Sequence, residues 1–156
     1  MTYRIEHKDS FNIIGIKQMF LNVDGLGENI RKMWADTSVE TINEISGLGD
    51  NLVGVYHGMY KENTTDYYIA SITNKECPEM MCMLEIPSHT WAIFEVIGPI
   101  PTAMTKVWGR IFYEWLPTSE YDHAEAPDVE WYSKGDFSAA DYKSEIWVPV
   151  IKKEDY

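Results

Sequence analysis

Near the C-terminus one carboxylate stands inside a β-branched and aromatic run, Tyr142-Lys143-Ser144-Glu145-Ile146-Trp147-Val148-Pro149-Val150. Such a run predicts a strand. Successive side chains of a strand point to opposite faces, so Ile146, Val148 and Val150 share one face while Lys143, Glu145 and Trp147 share the other. An unpaired carboxylate among apolar groups is costly. Glu145 therefore requires solvent, a protein partner such as Lys143, or a bound cation. A cation held there would also meet the Trp147 ring, an attraction of about 0.5 to 2 kcal/mol. Glu95 interrupts a second apolar run, Trp91 to Ile97, for which an exposed outer-face position is the simpler expectation.

The composition fits a small-molecule cavity better than a nucleic-acid surface. The 156 residues are enough for one domain with a sizeable core, and 45% hydrophobic with 13% aromatic content argues for a folded globule. Six Trp and ten Tyr supply rings with polar edges, useful either as core or as cavity lining. A formal charge of −12, from 25 acidic and 13 basic residues, opposes direct contact with nucleic acid and would concentrate cationic small molecules around an open cleft. No stretch approaches the roughly 18 consecutive apolar residues of a membrane span, and the N-terminus lacks the apolar core of a signal peptide. The expectation is a cytoplasmic protein without membrane contact. Cys77 and Cys82 read as free thiols, and His7, His57, His89 and His123 complete no metal spacing, so no metal or other cofactor is expected. Gly47-Leu48-Gly49 lacks the lysine and the continuation of a phosphate loop.

The elements that must position these residues follow from periodicity. Tyr3 to Lys8 and Phe11 to Ile16 read as strand, bent at Asp9-Ser10. Apolar positions from Ile30 to Ile45 recur at helical spacing, stopped by Gly47 and Gly49, which predicts a first helix. Leu52 to Tyr60 and Tyr67 to Thr73 form a predicted antiparallel pair, and a Met-containing loop from Cys77 leads to the strand Trp91 to Ile97. Met104, Val107, Trp108, Ile111, Phe112 and Trp115 make the apolar stripe of a second helix between Pro101 and Pro117. Val129 to Ser133 and Tyr142 to Ile151 predict a last hairpin. Each half thus reads strand, helix, hairpin. The expected fold is α+β, a single domain over 1–156 built of duplicated βαββ repeats, about 1–76 and 86–153. An antiparallel sheet would line a central groove at a pseudo-two-fold axis, with the two helices packed on its other face and Glu145 in the groove.

With that order in hand, the chain resembles the GyrI-like family, the effector-binding domain also attached to AraC-type and MerR-type multidrug-responsive transcription regulators of bacteria. The resemblance covers nearly the whole length. It rests on Phe112-Tyr113-Glu114-Trp115-Leu116-Pro117-Thr118-Ser119-Glu120-Tyr121, on the strand ending at Gly98-Pro99, and on Glu145-Ile146-Trp147-Val148-Pro149-Val150. It implies an aromatic cavity with a buried glutamate that meets cationic, lipophilic ligands. Glu145 matches that glutamate by its place in the final strand; Trp147 shares its face, and Tyr68 comes from the corresponding strand of the first half. Tyr56 and Tyr132 flank the expected groove, with a facing that depends on register. Trp115 and Tyr121 belong to the matching motif, and Trp115 falls on the apolar stripe as packing. No helix-turn-helix is read beside the domain, so transcription control would need a partner regulator.

Three functions remain open on this reading. The first is capture of an aromatic or lipophilic cation. The second, implied by hydrolase-like relatives that open strained cyclopropane-containing electrophiles, would use Glu145 as general base on water and Tyr68 to orient or protonate the substrate. The third, implied by a branch of the family associated with inhibition of DNA gyrase, is an acidic protein-interaction module directed at that enzyme.

Overall fold

A computed structural model describes residues 1–22, 24–58 and 63–154, and the strands and helices counted below are those of the described residues. Nine strands form one sheet in which every pairing is antiparallel: β1 (Tyr3–Lys8), β2 (Phe11–Leu21), β3 (Leu52–His57), β4 (Thr64–Ile72), β5 (Cys82–Ile86), β6 (His89–Ile97), β7 (Tyr121–His123), β8 (Asp128–Tyr132) and β9 (Lys143–Lys152). Their order is β1-β6-β9-β8-β3-β4-β2-β5, with β7 pairing β9. Three helices cross it: α1 (Leu26–Asp36), α2 (Val39–Leu48) and α3 (Thr102–Arg110). The last continues through a π-helical turn, Ile111–Trp115, and a final turn, Leu116–Thr118. Among the described residues no helix is long and apolar enough to cross a membrane.

Several expected elements are redrawn. The single helix expected over Ile30 to Ile45 is two, because the Ser38 hydroxyl accepts from the Thr41 amide at 3.1 Å and starts a new helix, while Thr37 Oγ1 donates to the Met33 carbonyl at 2.7 Å. Replacing Ser38 with alanine is expected to cost about 1 kcal/mol and to lower the midpoint of thermal unfolding by roughly 2 to 4 °C. Calorimetric melts of the two proteins check this. The bend at Asp9-Ser10 parts two strands that go to opposite ends of the sheet, β1 to β6 and β2 to β4 and β5. Part of the expected Met-containing loop is β5, and β7 lies between the second helix and the last hairpin, where no strand is expected. The expected strand end at Tyr60 lies outside the described residues. Pro117 sits inside the final helical turn rather than beyond it.

The helices cover one face of the sheet. α3 and the π-helical turn that continues it bury Met104, Ile111 and Trp115 against Phe94, Val96, Ile146, Val148 and Val150. α1 and α2 bury Ile30, Met33 and Ile45 against Phe20, Tyr67 and Ile69. Trp34 and Leu52 adjoin both clusters, marking where the two helical layers meet. The opposite face is a ring-filled core: Trp91, Trp147 and Tyr68 pack with Ile13, Val53, Val55, Ile86, Ile93 and Val129. Phe11 lies 6.2 Å from both tryptophan rings. This cluster joins β5 and β6, from near the two ends of the strand order, so the twisted sheet closes over that face. The groove expected there, opposite the helices, is occupied by side chains, and the cavity described below lies on the helix side instead.

Candidate functional site: a cavity over Glu130

Strand β8 reads Asp128-Val129-Glu130-Trp131-Tyr132, and alternation sends Val129 into the ring-filled core while Asp128, Glu130 and Tyr132 face the helices. Glu130 pairs in register with Gly54 of β3 on one side and Ile146 of β9 on the other. It is 6% exposed. Above it, a cavity of about 390 Å³ lies between α1 and α3, lined by Trp34, Tyr56, Met104, Trp108, Tyr132 and Phe137 among others. That size is within the range of small-molecule sites, and its walls are mainly apolar and aromatic.

Neutral donors alone hold the carboxylate. Trp108 Nε1 donates to Oε2 at 2.8 Å and the Tyr132 hydroxyl to Oε1 at 3.1 Å, and Tyr56 also bonds to it. Trp34 Nε1 donates to the Tyr67 hydroxyl at 2.9 Å, tying α1 to the same polar cluster. Among the described residues no cation pairs with Glu130. Burial pushes its carboxyl above the ordinary 4.5; the bonds from Trp108, Tyr132 and Tyr56 oppose that rise and the charge of Asp128 adds to it. Tyr56, Tyr67 and Tyr132 are pushed well above the ordinary 10.0, first by burial and then by the Glu130 charge, so they remain protonated donors.

Gly54 makes this arrangement possible. A Cβ at that position would stand 2.1 Å from the Tyr67 hydroxyl oxygen and 3.3 Å from Glu130 Oε1. The absent side chain is the space in which Tyr67 lies over β3 beside the carboxylate.

The residues expected to form the site divide between the two faces. Tyr56 and Tyr132 line the cavity. Glu145, Trp147 and Tyr68 do not. Trp147 and Tyr68, 6% and 4% exposed, belong to the ring-filled core. Glu145, with an 18% exposed side chain, receives Arg4 Nη1 on Oε2 at 3.1 Å and Trp147 Nε1 on Oε1 at 3.0 Å. The partner that its charge requires is thus an arginine from β1 and a ring two residues on, not the Lys143 side chain. A cation over Trp147 is present as well, but it is Lys8 Nζ, 4.6 Å from the ring centroid. Two strands, β8 and β3, separate Glu145 on β9 from Tyr68 on β4, so these two are not brought together as an acid–base pair. Glu95 is exposed. Trp115 packs in the core against Phe94, with Tyr121 stacked on it at 6.1 Å.

Glu130, Trp108 and Trp34 are the functional candidates that sequence reasoning missed. Glu130 presents the same signal as Glu145, an acid in an alternating strand between rings, and the glycine opposite it in β3 is the additional mark of a buried polar group needing room.

With this geometry in place, comparison with known proteins adds a family. Residues 4–150 match the Cass2 model, described as integron-associated effector binding protein. The chain belongs to this GyrI-like/Cass2 family of effector-binding domains. A DNA gyrase inhibitor of Erwinia billingiae (strain Eb661) is 31% identical over 110 residues, 65% of this chain and 70% of that protein. Among solved structures, SAV2435 bound to tetraphenylphosphonium superposes on this domain with a TM-score of 0.87 at 21% identity, covering 97% of this chain and 94% of that one. The C-terminal domain of EcmrR superposes with a TM-score of 0.65 at 16% identity, covering 97% and 98% of the two chains. At these identities the two structures share its fold.

Proposed function

We propose that this domain captures lipophilic aromatic cations in the cavity between α1 and α3, with Glu130 as the buried counter-charge. The observation that carries the reading is a carboxylate held inside an aromatic cavity by neutral donors, without a cation of its own among the described residues. A delocalised cation would recover the Coulomb energy that burial withholds, and would stack on the Trp34, Trp108 and Tyr56 rings. The tetraphenylphosphonium held by SAV2435 is a ligand of this chemistry. The counter-ion role expected of Glu145 passes in this reading to Glu130.

A duplicated origin belongs to the same proposal. It is supported by the strand order, β6-β9-β8 followed by β3-β4-β2, in which each half puts its second strand at the seam. Tyr56 comes from one seam strand, Glu130 and Tyr132 from the other, so the cavity would sit at the junction of the repeats.

Calorimetric titration with tetraphenylphosphonium tests the reading: saturable one-site binding supports it, and absence of heat and of competition by other aromatic cations contradicts it. A pH series sharpens the test. Because the Glu130 pKa lies above 4.5, cation affinity should hold at high pH and decline as pH falls through that raised value, before an ordinary glutamate would titrate. The other groups facing Glu130 are Asp128, itself bonded to His123, and the protonated Tyr56, Tyr67 and Tyr132. Uncharged triphenylphosphine oxide should show no such decline.

A second reading is favoured by the Erwinia relative, a gyrase inhibitor by name, together with the charge of −12. An acidic surface competing for a DNA-binding face would inhibit DNA supercoiling by gyrase at low salt and lose that effect at high salt.

A further inference from the structure

Among the described residues that line the cavity, two carry charge, Glu130 and Arg31. They differ in place. Glu130 is buried at the floor, whereas Arg31 is exposed on α1, one turn before Trp34 and so on the same side of the helix. Its guanidinium passes over Gly27, where a Cβ would stand 3.5 Å from Nη1. Among the described residues, Arg31 makes neither an ion pair nor a hydrogen bond.

An unpaired guanidinium at the rim of a pocket for simple cations repels them. It becomes favourable when the guest carries an anionic group of its own, because the planar fork of arginine matches a carboxylate. We infer that the cavity prefers aromatic zwitterions to aromatic cations, with Glu130 receiving the cationic ring system and Arg31 the guest's carboxylate. This rests on the proposed role of Glu130 and adds to it the class of ligand.

The test is fluorescence anisotropy on the full chain with a matched pair of dyes. Rhodamine 110 carries a delocalised xanthylium cation and a free carboxylate; rhodamine 123 is its methyl ester and lacks the anion. Rhodamine 110 should bind about 1.5- to fivefold more tightly, the range for one solvent-exposed ion pair. Arg31→Gln should bring the ratio to about one, weakening rhodamine 110 and, with the repulsion gone, slightly tightening rhodamine 123; Arg31→Lys should keep part of it, and raised salt should shrink it in the unmutated protein. Equal or tighter binding of the ester, or a ratio that Arg31→Gln leaves in place, overturns this inference alone. Failure of both dyes and of tetraphenylphosphonium to bind overturns the Glu130 reading with it.

Discussion

Replacing Glu130 with glutamine is expected to weaken tetraphenylphosphonium binding by about 2 kcal/mol, roughly thirtyfold, the Coulomb energy of opposite charges about 7 Å apart at the intermediate dielectric of a partly enclosed site. The substitution keeps the shape, leaving the amide oxygen for the Trp108 indole and an NH2 that a turned Tyr132 or Tyr56 hydroxyl can accept, so the walls should remain. Stability should not suffer. A carboxyl whose folded-state pKa is raised adds stability below its unfolded pKa and loses it as pH rises through the folded value, so the contribution of Glu130 to stability should decline with pH from about 4.5 upward. The glutamine variant lacks that decline and should unfold at an equal or higher temperature near neutral pH. Isothermal titration beside thermal melts separates the two effects. Glu145→Gln is the comparison: its carboxylate is already taken by Arg4 and Trp147, and cation affinity should change less than twofold, the scale of an exposed ion pair outside the site. Equal losses in the two variants would contradict the assignment.

Gly54→Ala should destabilise the protein and its cavity together. Its new methyl group would stand 2.1 Å from the Tyr67 hydroxyl oxygen and 3.0 Å from Cζ, and Tyr67 is fully buried, packed edge-on against Tyr56 with ring centroids 4.9 Å apart. The Tyr67 ring is enclosed on every side, and overpacking of this kind costs about 1 to 3 kcal/mol. Thermal unfolding should fall by roughly 2 to 12 °C. Any shift of Tyr67 also pulls on Trp34, whose indole it binds, and Trp34 is a cavity wall. Cation affinity should therefore drop with stability. Adding Tyr67→Phe removes the closest atom of the clash, so the double variant should be less destabilised than the sum of the two single changes. Strict additivity would mean that the methyl group is accommodated elsewhere.

How far the sequence discloses this site depends on what each signal encodes. The α3 stripe, the β3–β4 and β8–β9 pairings and the strand through Glu145 are local patterns, fixed by side-chain period and by turns a few residues long. Such patterns are readable from one chain. Which face of a sheet receives the helices, and which closes on itself, is decided by contacts among residues far apart in sequence, such as Phe11 against Trp147 and Arg4 against Glu145. A period of two shows that Glu130 and Val129 point opposite ways without showing which of them meets the helices. The same limit applied to Glu145, whose strand and alternation hold while its face proves to be the ring-filled one. Tyr56 and Tyr132 were candidates on flanking strands, and both line the cavity because their strands meet at the seam. Trp34 and Trp108 carry indole donors into the site, yet at helical spacing either reads equally as packing.

The most direct test is a crystal structure of the domain with bound tetraphenylphosphonium. The account predicts the phosphonium between α1 and α3, its rings against Trp34, Tyr56 and Trp108 and its charge facing Glu130. A ligand seated instead on the Arg4–Glu145–Trp147 side of the sheet, or lying in the cavity with its charge turned from Glu130, would contradict it.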